Sequence, residues 1–429
     1  MRGAFADRRF RRLLIGNSLS AFGDTALYLT LGIWAKSLTH SNAAAGSVFL
    51  ALGIPALFGP LTGHLADRLP RRPLLIAANA ITAAIVLSLL AVHSRAELWI
   101  IYLVAFCYGV SFSVLGSAGA GLLKDMLRGE HLASANAATQ SIAQGMRIVA
   151  PLAGAGLFIA FGGGAVAIMD VATFACAIIA LTSIKVTESR PQAASHDEQA
   201  KPRFRREVAA GFRHLRSVPL LMQITVVTAA AFSVIGLNET IIFAVIGAGL
   251  HRPPSFFGVY GAVQGAGAII GGIPLTLAVR KLGSARVIGV SLAAFSVASA
   301  AWLTSSLWLV LAAAIADGIG LVWLVAAATT ASQRYTPPSL QGRVNAALMM
   351  MIITPQTVSI ALGAALISVV NYRVLLVIVA VAVGVCALAL LVRPAPEPAE
   401  AVGEPADTTT MPAPPTAATG TGELADAPA

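Results

Sequence analysis

Twelve apolar runs divide this chain of 429 residues, at approximately 13–38, 44–64, 72–92, 97–122, 134–160, 164–185, 219–249, 255–279, 285–304, 307–333, 343–368 and 371–392. Each is about 17–25 residues or slightly longer, the length at which an α-helix crosses the hydrocarbon core of a bilayer. The runs are separated by short breaks rich in charge, Gly and Pro. None shows the alternating ten-residue segments of a membrane barrel, and hydrocarbon offers no partner to unpaired backbone, so the runs predict helices. The pattern predicts an all-α membrane protein with twelve transmembrane helices.

Composition agrees. With 57% hydrophobic and 11% charged residues and a mean hydropathy of +0.80, the chain has too little polar surface to coat a soluble globule. A formal net charge of +10 would suggest nucleic acid in a soluble protein, so the positions of the charges decide. Of the 29 Lys and Arg, only Lys36, Arg95, Arg252 and Arg373 fall between spans on one side, and Arg147 lies within a span. All the others fall on the opposite side, in the N-terminal segment, alternate loops, the central linker and Arg393. That asymmetry predicts a multi-pass protein of the cell (inner) membrane with both termini cytoplasmic. The basic residues then serve as a topological address and as contacts to lipid headgroups, and no nucleic-acid partner is expected. Cys107, Cys176 and Cys386 all lie in apolar runs, an odd set with neither a disulfide framework nor a metal spacing. Arg8, Arg9, Arg11 and Arg12 precede the first run as in a secretory signal, but Leu13–Leu38 is too long for a signal core and reads as a retained span.

The chain also repeats. A shift of 209 residues sets Ala135–Ala138 on Val344–Ala347, Gly154 on Gly363 and Gly109 on Gly318. A shift of about 212–214 sets Gly46 on Gly258 and Pro60-Leu61-Thr62 on Pro274-Leu275-Thr276. Such a parallel repeat places a substrate site where the two halves meet, near the membrane midplane. The expected organisation is an N-terminal six-helix bundle (1–186), a cytoplasmic linker (187–218), a C-terminal six-helix bundle (219–392) and a disordered tail (393–429). Within the linker, Phe204–Arg216 has the pattern of an amphipathic surface helix.

One loop is unlike the rest. Gly63-His-Leu-Ala-Asp-Arg-Leu-Pro-Arg-Arg72 packs three arginines and an aspartate between the second and third runs. It resembles the signature loop between helices two and three of the major facilitator superfamily. Gly23-Asp24, the run Gly121-Leu-Leu-Lys-Asp-Met-Leu-Arg continuing to Leu132-Ala-Ser-Ala-Asn136, and Arg343 are similar to the branch that contains macrolide-efflux and enterobactin-exporter proteins. In the fifth helix Pro151 and Gly154 of the antiporter pattern are present, while Met146, Ala150 and Ala155 replace its glycines. The resemblance implies two pseudo-symmetric six-helix bundles that alternate in access. It also implies a secondary active exporter of a small amphipathic organic compound, driven by a proton gradient without a cofactor and acting as a monomer. A gradient-independent facilitator or importer of the same fold, and a membrane sensor that moves nothing, are the alternative readings. No nucleotide loop, His or Cys cluster, or nucleophile–base pattern suggests an enzyme.

Ionisable residues inside spans cost several kcal/mol to bury and are kept for a path, a pair or a relay. Asp24 lies about eleven residues into its helix, roughly 16 Å and close to the midplane. It is read as a proton-binding carboxylate or as a helix–helix hydrogen bond. Glu239, near the repeat position of Asp24, is the favoured carrier of a coupled proton. Arg147, whose repeat mate is Gln356, would bind an anionic group, tune a carboxylate, or pair with Asp24 or Asp170. Asp317 stands where the first half has Tyr108. With Gln140, Gln144, Gln356 and Asn238 it completes the set of cavity candidates with Arg147. Asp170 is expected near the outer helix end, in a structural role. Gly63, Asp67, Arg68, Arg71, Arg72 and Arg343 form an expected cytoplasmic latch. In it Asp67 accepts from the N-terminus of the eleventh helix, and the arginines hold headgroups and neighbouring acids. Trp34, Trp302 and Trp308, near span ends, are expected in the interfacial aromatic belts.

Overall fold

The computed structural model describes residues 5–58, 69–127, 130–186, 200–337 and 340–396; within them, the side chains at 130, 133, 137, 140, 141, 144, 147, 148, 200–208 and 342 lie outside the description. Every regular element among the described residues is helical. In the first half these are α1 (Arg8–Thr39), α2 (Asn42–Gly53), α3 (Arg71–Leu87), α4 (Leu98–Met126), α5 (Glu130–Phe161) and α6 (Gly163–Thr182). A linker helix α7 (Ala200–Ser217) follows. The second half contains α8 (Pro219–Ile235), α9 (Asn238–Ala244), α10 (Phe256–Gly272), α11 (Leu275–Leu282), α12 (Ser284–Ala301), α13 (Leu307–Arg334), α14 (Gln341–Leu366) and α15 (Tyr372–Val392). Among the described residues, the seventh and eighth spans are each built from two α-helices. The seventh breaks at Gly236–Leu237 between α8 and α9 and ends in a π-turn over Val245–Gly249. The eighth bends by 58° between α10 and α11.

Helix starts follow local chemistry. Asp7 caps α1 by accepting from the Arg9 amide at 2.7 Å, and the Arg9 guanidinium holds this carboxyl below the usual carboxylate range. Ser41 caps α2, and Asn371 caps α15. His40, in a left-handed conformation (φ 55°), turns the chain from α1 into α2.

The repeat seen in the sequence is a repeat of packing. In the first half α1 packs on α5 and α6, α3 on α4 and α6, and α2 on α4; in the second, α8 packs on α14 and α15, α12 on α13 and α15, and α10 on α13. Each pairing has its counterpart. The aligned glycines mark the same crossings. A Cβ on Gly109 would meet the Leu52 carbonyl where α4 crosses α2, and one on Gly318 would meet the Gln264 carbonyl where α13 crosses α10. Glycine is kept there because the backbones touch. The halves meet through two further equivalent pairs, α5 with α10 and α2 with α14. An even number of spans puts both ends of the bundle on one membrane face, called here the terminal face.

At the opposite face an aromatic cluster joins the halves. Phe49 of α2 stacks on Phe243 of α9 (centroids 6.2 Å, 27°) and meets Phe257 of α10 edge-on at 6.1 Å, while Phe243 and Phe257 lie 5.0 Å apart. Tyr28 of α1 leans on Phe49 at 5.2 Å. At the terminal face the contacts are polar. Arg71 pairs with Asp125 at 2.6 Å, Arg72 donates to the Leu181 and Thr182 carbonyls at 2.7 and 2.9 Å, and Arg12 donates to the Ser183 carbonyl at 3.0 Å. Cationic side chains thus close the C-terminus of α6, where the helix dipole is negative. The linker helix lies on α14 with Gly211 against the Arg343 backbone, and the His214 Nε2–H donates to the Tyr335 carbonyl at 3.0 Å.

The aromatic belt needs correction. Trp34 is buried against Phe158 at 6.3 Å, and Trp302 is buried edge-on to Tyr260 at 5.5 Å; Trp308 alone of the three is exposed. Proximity to a span end did not separate an indole packed between helices from one facing lipid.

Candidate functional site

Each half carries a phenol–carboxylate pair inside its bundle. In the first, the Tyr108 hydroxyl of α4 donates to Asp24 Oδ1 of α1, and Asp170 Oδ2 of α6 stands 3.5 Å from the Tyr108 hydroxyl oxygen. The three elements are brought together by small residues. Gly23, beside Asp24, has no side chain to keep α6 away, and a Cβ there would collide with Asp170 and Thr173. Thr173 donates to the Asp170 carbonyl at 2.7 Å and lies 3.4 Å from Asp170 Oδ1. Asp170 is fully buried, which overturns its expected position at a wetted helix end. It sits two turns inside α6, whose first residue is Gly163, and faces α1 across the glycine.

A phenol has one proton to give. With two carboxylates beside it, one accepts from Tyr108 and the other needs a second donor, a cation or a proton of its own. Among the described residues no Lys, Arg or His side chain pairs with either. Arg147, the cation expected near them, lies on α5 with its side chain outside the description, as do the side chains of Gln140 and Gln144.

In the second half the arrangement is exchanged. Tyr260 of α10 donates to Asp317 Oδ2 of α13 at 2.8 Å, and both are buried. Tyr108 and Asp317 are repeat mates, so equivalent positions supply the donor in one half, toward α1, and the acceptor in the other, toward α10. Tyr260 also stacks on Phe257 at 6.3 Å, which ties this pair to the aromatic cluster of the opposite face. Glu239 opens α9 just beyond the break in the seventh span. It is within electrostatic reach of Tyr260, and among the described residues its carboxyl makes no hydrogen bond. Next to it, the Asn238 Oδ1 and Thr240 Oγ1 atoms are buried without a partner, as is Ser359 Oγ on α14. Gln356 lies half-buried on α14 one turn before Ser359, with its carbonyl against Gly236 at the break.

A cavity of about 140 Å³ lies beside the first cluster, between α1, α3, α4 and α6. Asn17, Ser20 and Asp24 line it along one side of α1, Asn79 of α3 faces them, and Leu13, Leu75, Leu122 and Leu181 line its terminal end. Among the described residues no group of three or more His, Cys, Asp and Glu is placed to hold a metal ion.

Of the expected latch, Gly63, Asp67 and Arg68 lie outside the described residues. Arg71 meets a neighbouring acid, Asp125, and also the Gly121 carbonyl at 3.1 Å; Arg72 donates to helix carbonyls of α6. Arg343 opens α14 beneath the linker helix. Beyond the alignment of Tyr108 with the buried Asp317, nothing in the sequence marks Tyr108 or Tyr260 as the hydrogen-bond partner of a buried acid, or Asn79 as a cavity residue.

Residues 13–246 and 231–424 each match the Major Facilitator Superfamily. An uncharacterized MFS-type transporter YfiS from Bacillus subtilis (strain 168) is 23% identical over 260 residues, 60% of this chain and 61% of that protein. Macrolide efflux protein A from Streptococcus pyogenes is 24% identical over 211 residues, 48% of this chain and 51% of that protein. The chain therefore spans between half and two thirds of the length of these relatives. Among solved structures, the nucleoside transporter NupG superposes with a TM-score of 0.71 at 13% identity, covering 90% of this chain and 99% of that one. A bacterial homologue of the iron transporter ferroportin in an inward-facing state superposes with a TM-score of 0.68 at 17% identity, covering 90% and 98%. These likenesses are of fold.

Proposed function

Because the chain belongs to the Major Facilitator Superfamily, we propose that it is a secondary active exporter of a small amphipathic organic compound, driven by protons and needing no cofactor. The two bundles, 1–186 and 219–392, joined by the linker 187–218, rock about the α5–α10 and α2–α14 contacts and work as a monomer. The termini lie in the cytoplasm of the cell's inner membrane, as the distribution of Lys and Arg favours. The distant likeness to a macrolide efflux protein supports export and an amphipathic substrate.

The observation that carries the reading is the meeting of Asp24 and Asp170 at one phenol within the membrane span. Two carboxylates crowded about a single donor in low dielectric repel unless a proton joins them. Such a pair gains and loses a proton as its surroundings open and close, which is what coupling to a proton gradient requires. Glu239, at the helix break and beside Tyr260, is the second exchange site, reached from the cavity between the halves. Arg147, Gln140, Gln144, Gln356, Asn238 and Asp317 contribute polar groups to that cavity. In the outward-open state Asp67 accepts from the N-terminus of α14 near Arg343, with Gly63 and Arg68 in the same latch.

The replaced glycines of the fifth helix favour a second reading, a facilitator that moves its substrate without protons. Accumulation of a macrolide and a panel of other amphipathic compounds, in cells with and without the protein and with and without an uncoupler, separates the two. The exporter lowers accumulation, and the uncoupler removes the difference; a difference that survives the uncoupler supports the facilitator. No difference for any compound overturns export of that panel.

A further inference from the structure

The cavity between α1, α3, α4 and α6 lies at the back of Asp24, inside one bundle, and is distinct from the contacts between the halves. Its size limits its occupant. A drug-sized ligand needs a pocket of about 300–1,000 Å³, more than twice the 140 Å³ present. Water takes roughly 30 Å³ per molecule in the liquid, so the cavity holds about four or five. Its lining is made to order them. Asn17, Ser20 and Asp24 follow one another at intervals of three and four along α1, one helical face that runs from near the terminal end toward the midplane. Across from them Asn79 gives its Nδ2–H to the Leu75 carbonyl at 2.7 Å, so its amide oxygen is the atom left to accept from a water. Leu13, Leu75, Leu122 and Leu181, each no more than 5% exposed, narrow the terminal end. Asn17, the lining residue most exposed, marks the side on which the cavity opens.

We propose that this alcove is the wetted entry by which protons from the terminal face reach the Asp24–Tyr108–Asp170 cluster, leaving the space between the halves to the substrate. The inference rests on the proton-coupled reading above. The transfer is an ordinary hop: a hydronium donates to the first ordered water, each water passes a proton to the next, and the last protonates a carboxylate oxygen of Asp24. Asn17, Ser20 and Asn79 hold the waters in line and carry no charge themselves. The titratable groups around Asp24 are Asp170 from α6 and Tyr108 from α4. Arg147 lies on α5 with its side chain outside the description. The segment 42–58 containing α2 has no titratable residue. Those of α3, Arg71 and Arg72, are at its first turn against Asp125 and the α6 carbonyls. From α10, Gly261 packs near Leu29 of α1, and the Tyr260 hydroxyl donates a hydrogen bond to Asp317.

Gly119 allows a direct test. It lines the alcove, and a Cβ built on it meets no atom within 4 Å, so a side chain there starts into open space. Gly116, on the same helix with the same open surroundings, does not line it. The protein is reconstituted at one pH and jumped to another, and the infrared carboxyl signal that disappears in Asp24→Asn is followed in time. In Gly119→Trp, and in the smaller Gly119→Leu, the signal relaxes at least tenfold more slowly than in the wild type, while Gly116→Trp keeps the wild-type rate. A wild type whose Asp24 signal does not respond to pH overturns proton coupling at Asp24 and the route with it. A wild type that responds, with both Gly119 variants folded and equally fast, overturns the route alone.

Discussion

Asp24 on α1 and Asp170 on α6 meet at the same hydrogen-bond donor, the Tyr108 hydroxyl of α4. Residues that act through one shared proton are not independent. A double-mutant cycle with Asp24→Asn and Asp170→Asn is therefore expected to show an interaction of about 1 kcal/mol or more in the rate of proton-driven transport. Either single change should cost most of the uphill rate, and the second should add little. Additive losses would assign Asp170 to packing alone.

The second pair stabilises as well as acts. Removing the Tyr260 hydroxyl leaves the buried Asp317 carboxyl without its donor, at a cost of about 1–3 kcal/mol. Thermal unfolding in detergent should show Tyr260→Phe melting several degrees below the wild type. Asp317→Asn, which still accepts through its amide oxygen, should lose less. Equal melting temperatures for Tyr260→Phe and the wild type would show that Asp317 finds another donor.

Pseudo-symmetric crossings predict symmetric intolerance. At Gly109 and Gly318 even one added carbon meets a backbone carbonyl that cannot move aside. Gly109→Leu and Gly318→Leu should each abolish accumulation of folded protein, measured by size-exclusion chromatography of detergent extracts. Gly116→Leu, built into open space, should leave it unchanged.

The aromatic cluster at the opposite face predicts a seal. Phe243 is buried between Phe49 and Phe257, and its removal takes away two ring contacts worth about 0.5–1.5 kcal/mol each as well as the packing beneath them. In a background with Cys107, Cys176 and Cys386 replaced by alanine, Tyr28→Cys reports on the seal. A membrane-impermeant thiol reagent added from the opposite face should label it at least several-fold faster once Phe243→Ala is introduced. Unchanged labelling would place the barrier elsewhere.

Much of this architecture was legible before any coordinates. A bilayer imposes a length and a composition on anything that crosses it, so the apolar runs gave the helices to within a few residues, and the repeat gave the pairing of halves. The positions of Asp24, Glu239 and Asp317 as membrane-buried acids were equally plain, since few other charges fall inside runs. Their partners were not. Tyr108 lies far from Asp24 in sequence, and a tyrosine in an apolar run carries no local mark of what its hydroxyl reaches. Asp170 was misplaced because distance from a helix end says nothing about which neighbour covers it; Gly23 on another helix decides that. Trp34 and Trp302 failed for the same reason. The break at Gly236–Leu237, which sets Glu239 at a helix start, falls inside a run of spanning length, where Gly236 and the polar Asn238 and Glu239 beside it do not by themselves mark a helix end.

The most direct test of proton coupling at these carboxylates compares two transport modes in proteoliposomes, using a compound shown in cells to be exported. Uphill movement driven by a pH gradient requires a proton to load and unload, whereas exchange of labelled for unlabelled compound requires only that the halves rock. Asp24→Asn and Glu239→Gln are each expected to reduce gradient-driven transport at least tenfold while leaving exchange within about twofold of the wild type. Full gradient-driven transport in both variants would contradict the account.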